Sequence, residues 1–68
     1  MPRVVSLKKY IRAAKVVLDE TGESKRTHEV VAFFERKCTL RNWYDQVSEE
    51  FGNDLAYAID QEVNESMY

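Results

Sequence analysis

Leu7, Tyr10, Ile11, Ala14, Val17 and Leu18 recur at intervals of three and four, the spacing of one helical face. Ser6 stands just before them as an N-cap whose oxygen accepts from first-turn amides. Thr21-Gly22 closes the pattern with a glycine free to turn left-handed. This predicts a first helix over 7–20. The polar run Glu23-Ser24-Lys25-Arg26 reads as a connector, and Thr27 as the next N-cap. Val30, Val31, Phe34 and Cys38 form a second stripe, with Glu35-Arg36-Lys37 placing basic charge where the helix dipole favours it. The run VVAFF also suits a buried strand by residue preference. No second strand is visible to pair with it, so the spacing predicts a helix over 28–38.

Thr39 can cap a third helix bearing Leu40, Trp43, Tyr44, Val47 and Phe51. Gly52-Asn53-Asp54 interrupts, and Leu55, Ala58, Ile59 and Val63 resume the stripe. The register 47, 51, 55, 59, 63 never breaks. One helix from 40 to 65 is therefore an alternative, with Gly52 costing about 1 kcal/mol relative to alanine. Gly-Asn-Asp offers a C-cap and a new N-cap together, which favours two helices, 40–51 and 54–65. The pattern predicts an all-α bundle of three to four short helices forming a single domain over 1–68.

Size limits what can hold such a bundle together. The chain has 68 residues, and cores of this size rarely supply more than ~3–5 kcal/mol. One cysteine forms no internal disulfide, and Cys38 with His28 is too small a set for a structural zinc site. A hydrophobic content of 44% with eight aromatic residues is too high for a disordered acidic tail. The first residues lack the uninterrupted apolar stretch of ~7–15 residues that marks a secretory signal. No segment approaches the ~18–20 apolar residues of a membrane span. A lone thiol fits a reducing compartment, so the expected location is cytoplasmic, away from membranes.

Charge alters this picture more than composition does. Residues 1–26 carry seven basic and three acidic side chains, net +4, whereas residues 27–68 carry three basic and nine acidic, net −6. The overall charge of −2 hides two opposite fields, a statement about partners rather than fold. Lys8, Arg12 and Lys15, with Lys9 beside them, follow an i, i+4, i+7 course, and Lys25 and Arg26 sit at the next helix entrance. Such a set can meet nucleic-acid phosphates or an acidic protein surface. It can equally be an ordinary solvated helix face, or meet the acidic half of the same chain.

Catalytic groupings are missing from the pattern. Two glycines thirty residues apart build no phosphate loop. His28 and Cys38 are ten residues apart, about 15 Å along one helix, too far for a base and nucleophile. Adjacent pairs such as Glu49-Glu50 point about 100° apart on a helix and do not converge. The expectation is a protein that is not an enzyme, with no cofactor, metal or small-molecule substrate.

Apolar excess is the remaining signal. Val30 to Phe34 put large groups more than halfway round the second helix, and Trp43-Tyr44 do likewise on the third. A small bundle buries one stripe per helix, so some of this surface is left for contacts, a homodimer included. Phe33, Trp43 and Tyr44 are the candidates for an apolar contact, although Trp43 shares its stripe with Val47 and Phe51 and fits a core role as well. Glu49, Glu50, Asp54, Asp60, Glu62 and Glu65 form a candidate acidic surface, able to oppose a basic partner or imitate a phosphate array.

The segment PRVVSLKKYIRAAKVVLDETGESKRTHEVVAFFERK resembles a ribbon-helix-helix DNA-binding domain over about half the chain. Val4-Val5 would correspond to the strand, Gly22 to the turn, and Ser24, Lys25, Arg26, Thr27 and Glu29 to the connector and second-helix start. The resemblance implies a dimeric DNA-binding regulator with Arg3 reading bases, and with residues 40–68 similar to an antitoxin's partner-binding tail. Two functions are therefore expected. The first is a small regulatory or inhibitory protein that binds another protein through its aromatic and acidic surfaces. The alternative is DNA binding through Arg3, Lys8, Lys9, Arg12, Lys15, Lys25 and Arg26.

Overall fold

In the computed structural model, residues 7–66 are described, with side chains to residue 65. Four α-helices follow in order: α1 (Leu7–Glu20), α2 (Thr27–Arg36), α3 (Trp43–Phe51) and α4 (Asn53–Ser66). A single 3-10 turn, Ser24–Arg26, leads into α2, and no strand occurs among the described residues. The protein is thus an all-helical bundle. Helix α1 lies against both α2 and α4, and α3 packs on α4. The proposed Ser6 cap and the Val4-Val5 strand lie outside the described residues.

The end of α1 follows from its glycine. Gly22 takes φ +76°, the Glu23 amide donates to the Leu18 carbonyl (2.8 Å) and the Gly22 amide to Asp19 (3.2 Å). This is a Schellman arrangement, which satisfies carbonyls the helix leaves without partners. The Thr21 hydroxyl adds a bond to the Val17 carbonyl at 3.0 Å.

Three boundaries in α2 and α3 differ from the sequence expectation, and α4 begins and ends one residue outside the expected 54–65. Thr27 is the first residue of α2 rather than its N-cap, because the 3-10 turn keeps Arg26 and Thr27 in helical dihedrals and leaves no extended residue to cap. Helix α2 stops at Arg36, two residues early, with Cys38 beyond its end. Thr39 does not cap α3; its amide instead donates to the Gln46 side-chain oxygen at 2.9 Å. Residues 40–42 form a turn, and α3 begins at Trp43, three residues late. The break at Gly52 is real: one residue at φ +107°, ψ 152° joins α3 to α4.

The core gathers Ala13, Ala14, Val17 and Leu18 of α1, Val30 and Phe34 of α2, Trp43 and Val47 of α3, and Ala56, Ile59 and Val63 of α4. Ala13 was not part of the predicted α1 stripe. It is buried because α1 serves two neighbours, which needs a wider face than one stripe, and two adjacent alanines let both helices approach closely. Tyr10, Phe34 and Trp43 form an aromatic cluster, with Tyr10 and Trp43 centroids 5.0 Å apart and Phe34 and Trp43 6.2 Å apart. No described helix is long and apolar enough to cross a membrane.

Candidate functional site

Helices α3 and α4 carry the site that the charge pattern suggests. From Asn42 to Tyr68 the chain holds Asp45, Glu49, Glu50, Asp54, Asp60, Glu62 and Glu65 and not one lysine or arginine. A single residue links the two helices, with Glu49 and Glu50 in the last turn of α3 and Asp54 in the first turn of α4. Asp45, Glu49, Glu50, Asp54 and Glu65 are all exposed. Tyr57 projects from the same face of α4 as Asp54, one turn on, and is the one large hydrophobic exposed among the described residues, at 57%.

The acidic set does not remain whole. Asp60 and Glu62 are half-buried and face α1. Asp60 lies near the Tyr10 hydroxyl, whose pKa is raised above its ordinary 10.0 by burial first and by the Asp60 charge second, with a hydrogen bond donated by the Trp43 indole N–H acting in the lowering direction. Glu62 shares an open groove of about 180 Å³ with Lys9 and Arg12 of α1.

The aromatic candidates part company as well. Trp43 is 7% exposed and belongs to the core. Tyr44 is half-buried, its ring 5.4 Å from Trp43 in an edge contact. Phe33 is half-buried against Phe51 instead, edge to face at 5.2 Å. Together with Ala32, these two rings floor an open groove of about 240 Å³ between α2 and the end of α3.

On α1, Lys8, Arg12 and Lys15 are exposed along one face, as their spacing requires, with Lys9 half-buried beside them. Acidic side chains border this stripe on both flanks: Glu35 of α2 lines a wide groove with Lys8, Arg12 and Lys15, and Glu62 of α4 lines the other. Lys25 is exposed in the 3-10 turn. Arg26 is committed within the fold, 3.2 Å from Glu23 and with its guanidinium 5.4 Å from the Phe51 ring centre. Arg3 lies outside the described residues. His28 is exposed in the first turn of α2, and the half-buried Cys38 has its pKa raised by burial.

Sequence reading missed Tyr57 and Asp45. Tyr57 falls off the Leu55–Ala58–Ile59 stripe, so an aromatic out of register was the available signal. For Asp45 the signal was the uninterrupted absence of cations after Arg41.

One physical feature separates this acidic face from ordinary solvation. The C-terminus of a helix carries partial negative charge, which disfavours carboxylates there by about 0.3–1 kcal/mol each. Glu49 and Glu50 nevertheless occupy the last turn of α3, and Glu65 that of α4, and neither turn holds a basic residue. These carboxylates do not serve helix stability. Compared with protein-family models, with curated proteins and with solved structures, the chain gives no significant match.

Proposed function

We propose that the protein is a small, non-enzymatic regulatory or inhibitory module that binds a basic partner protein through its α3–α4 face. The observation that carries this reading is the set of exposed carboxylates on α3 and α4, two helices with no lysine or arginine of their own, held against the helix dipole of α3 and joined on α4 by the exposed Tyr57. A rigid aromatic with acidic residues on the same helix is a common composition for a contact surface, since Tyr supplies area while charges steer association. The single free thiol, Cys38, fits a reducing compartment, and we assign the module to the cytoplasm.

Direct DNA binding is the weaker reading. Arg26 is engaged by Glu23 and Phe51, and Glu35 and Glu62 border the α1 lysines. The exposed carboxylates of α3 and α4 would also repel phosphates within a Debye length of ~8 Å.

The two readings divide under charge reversal. In nuclease-treated capture from the source cell, Glu49→Lys with Glu50→Lys, and Tyr57→Ala separately, should lose the captured protein. Lys8→Glu with Lys15→Glu should retain it. The Glu49 and Glu50 reversals should also raise the melting temperature, because they remove a repulsion with the α3 dipole. Loss of binding together with gain of stability marks a functional surface. Unchanged capture by both acidic-face variants would sink the proposal. Duplex binding whose affinity falls with a slope of about −0.9 per neutralised phosphate would establish the DNA reading instead.

A further inference from the structure

Helix α2 has a second face that its core stripe does not use. Val30 and Phe34 point inward, whereas Glu29, Ala32, Phe33 and Arg36 follow an i, i+3, i+4, i+7 course along the groove beside Phe51. That is the spacing of a helix-packing seam. Its ends carry opposite charge: Glu29 and Arg36 are exposed and about 10.5 Å apart along the axis, with Ala32 and Phe33 midway between them.

This layout is self-complementary under one operation. If a second α2 lies antiparallel across a two-fold axis at Ala32–Phe33, each Glu29 faces the other chain's Arg36, and both pairs form at once. A parallel arrangement would place like charges together. The small Ala32 side chain permits the ~8–10 Å axis separation of packed helices, and antiparallel α2 dipoles attract. The apolar floor formed by Phe33 and Phe51 is then covered by its symmetry mate.

We infer that the α2 groove is a homodimer interface, a second copy of this chain docking antiparallel with Glu29–Arg36 pairs closing both ends. In such an isologous contact residue i meets j and j meets i. Glu50 also lines this groove and is shared with the partner-binding reading, whereas Glu29 and Arg36, on which the pairing rests, belong to the dimer surface alone.

Sedimentation equilibrium of the full chain tests it. The unaltered protein should dimerise in the micromolar range at physiological ionic strength. Glu29→Arg and Arg36→Glu should each raise the dissociation constant about tenfold or more, since each reverses two pairs at once. An equimolar mixture of the two variants should recover dimers, because every juxtaposition in the heterodimer is again complementary. Both positions are exposed, and circular dichroism melts establish that each variant folds. Glu29→Gln and Arg36→Gln, which delete the pairs without opposing the α2 dipole, should weaken association less and replace any reversal that unfolds. A chain that stays monomeric throughout the micromolar range, a dimer indifferent to these substitutions, or a mixture that fails to recover would each overturn the assignment.

Discussion

Replacing Trp43 with alanine should bring the fold to the edge of collapse. The indole is 7% exposed and stands at the first turn of α3, with ring contacts to Tyr10 at 5.0 Å, Tyr44 at 5.4 Å and Phe34 at 6.2 Å. It therefore joins α1, α2 and α3 at a single point. Truncating a buried Trp to Ala costs about 3–5 kcal/mol, from lost transfer free energy and the cavity left behind. At roughly 0.05–0.15 kcal/mol per residue, a chain of this length has about 3–10 kcal/mol in total. The variant should therefore lose most of its stability. The assay is urea unfolding followed by far-UV circular dichroism, because the substitution removes the chain's single tryptophan as a fluorophore. The Trp43→Phe variant is the control: it keeps most of the volume and should retain a cooperative transition at lower urea. A Trp43→Ala midpoint within about 0.5 kcal/mol of the parent, the range of ordinary surface substitutions, would refute the core assignment.

Three further outcomes follow from particular geometries. Gly52→Ala should destabilise by about 1–3 kcal/mol, because φ +107° with ψ 152° is essentially a glycine conformation and nothing lies within 4 Å of the added Cβ to compensate. A rise in both stability and helicity in the same urea and circular dichroism experiment would show that α3 and α4 can fuse. Tyr10 should ionise above its ordinary 10.0, stabilising the fold below that pH and losing the contribution as pH rises through its folded value. Asp60→Asn should lower that pKa and Trp43→Phe should raise it further, read from the Tyr10 ring-carbon shift by NMR; an Asp60→Asn variant with unchanged or raised pKa would contradict the placement. Cys38 should react with iodoacetamide more slowly in the native chain than in urea at one pH, because burial raises its pKa and less thiolate is present. Equal rates would contradict its burial.

Local order was legible along the chain. The α1 boundaries follow from apolar spacing and from a glycine that must take positive φ, and both are backbone and neighbour effects that short segments already contain. The two opposite charge fields were equally plain, since they are sums over residues. Tertiary contacts decided what spacing left open. The register 47–63 allows one helix from 40 to 65, but at ~1.5 Å per residue such a rod would hold Trp43 and Asp60 about 25 Å apart, whereas both lie beside Tyr10. It could not return Ile59 and Val63 to α1 while Trp43 meets Tyr10, so burial selects the break at Gly52. The fate of each acidic residue depended on the same packing. Asp60 and Glu62 differ from Asp54 and Glu65 only in which side of α4 meets α1, a choice made by a neighbour distant in sequence. Periodicity names a face; the partner helix determines whether it is covered.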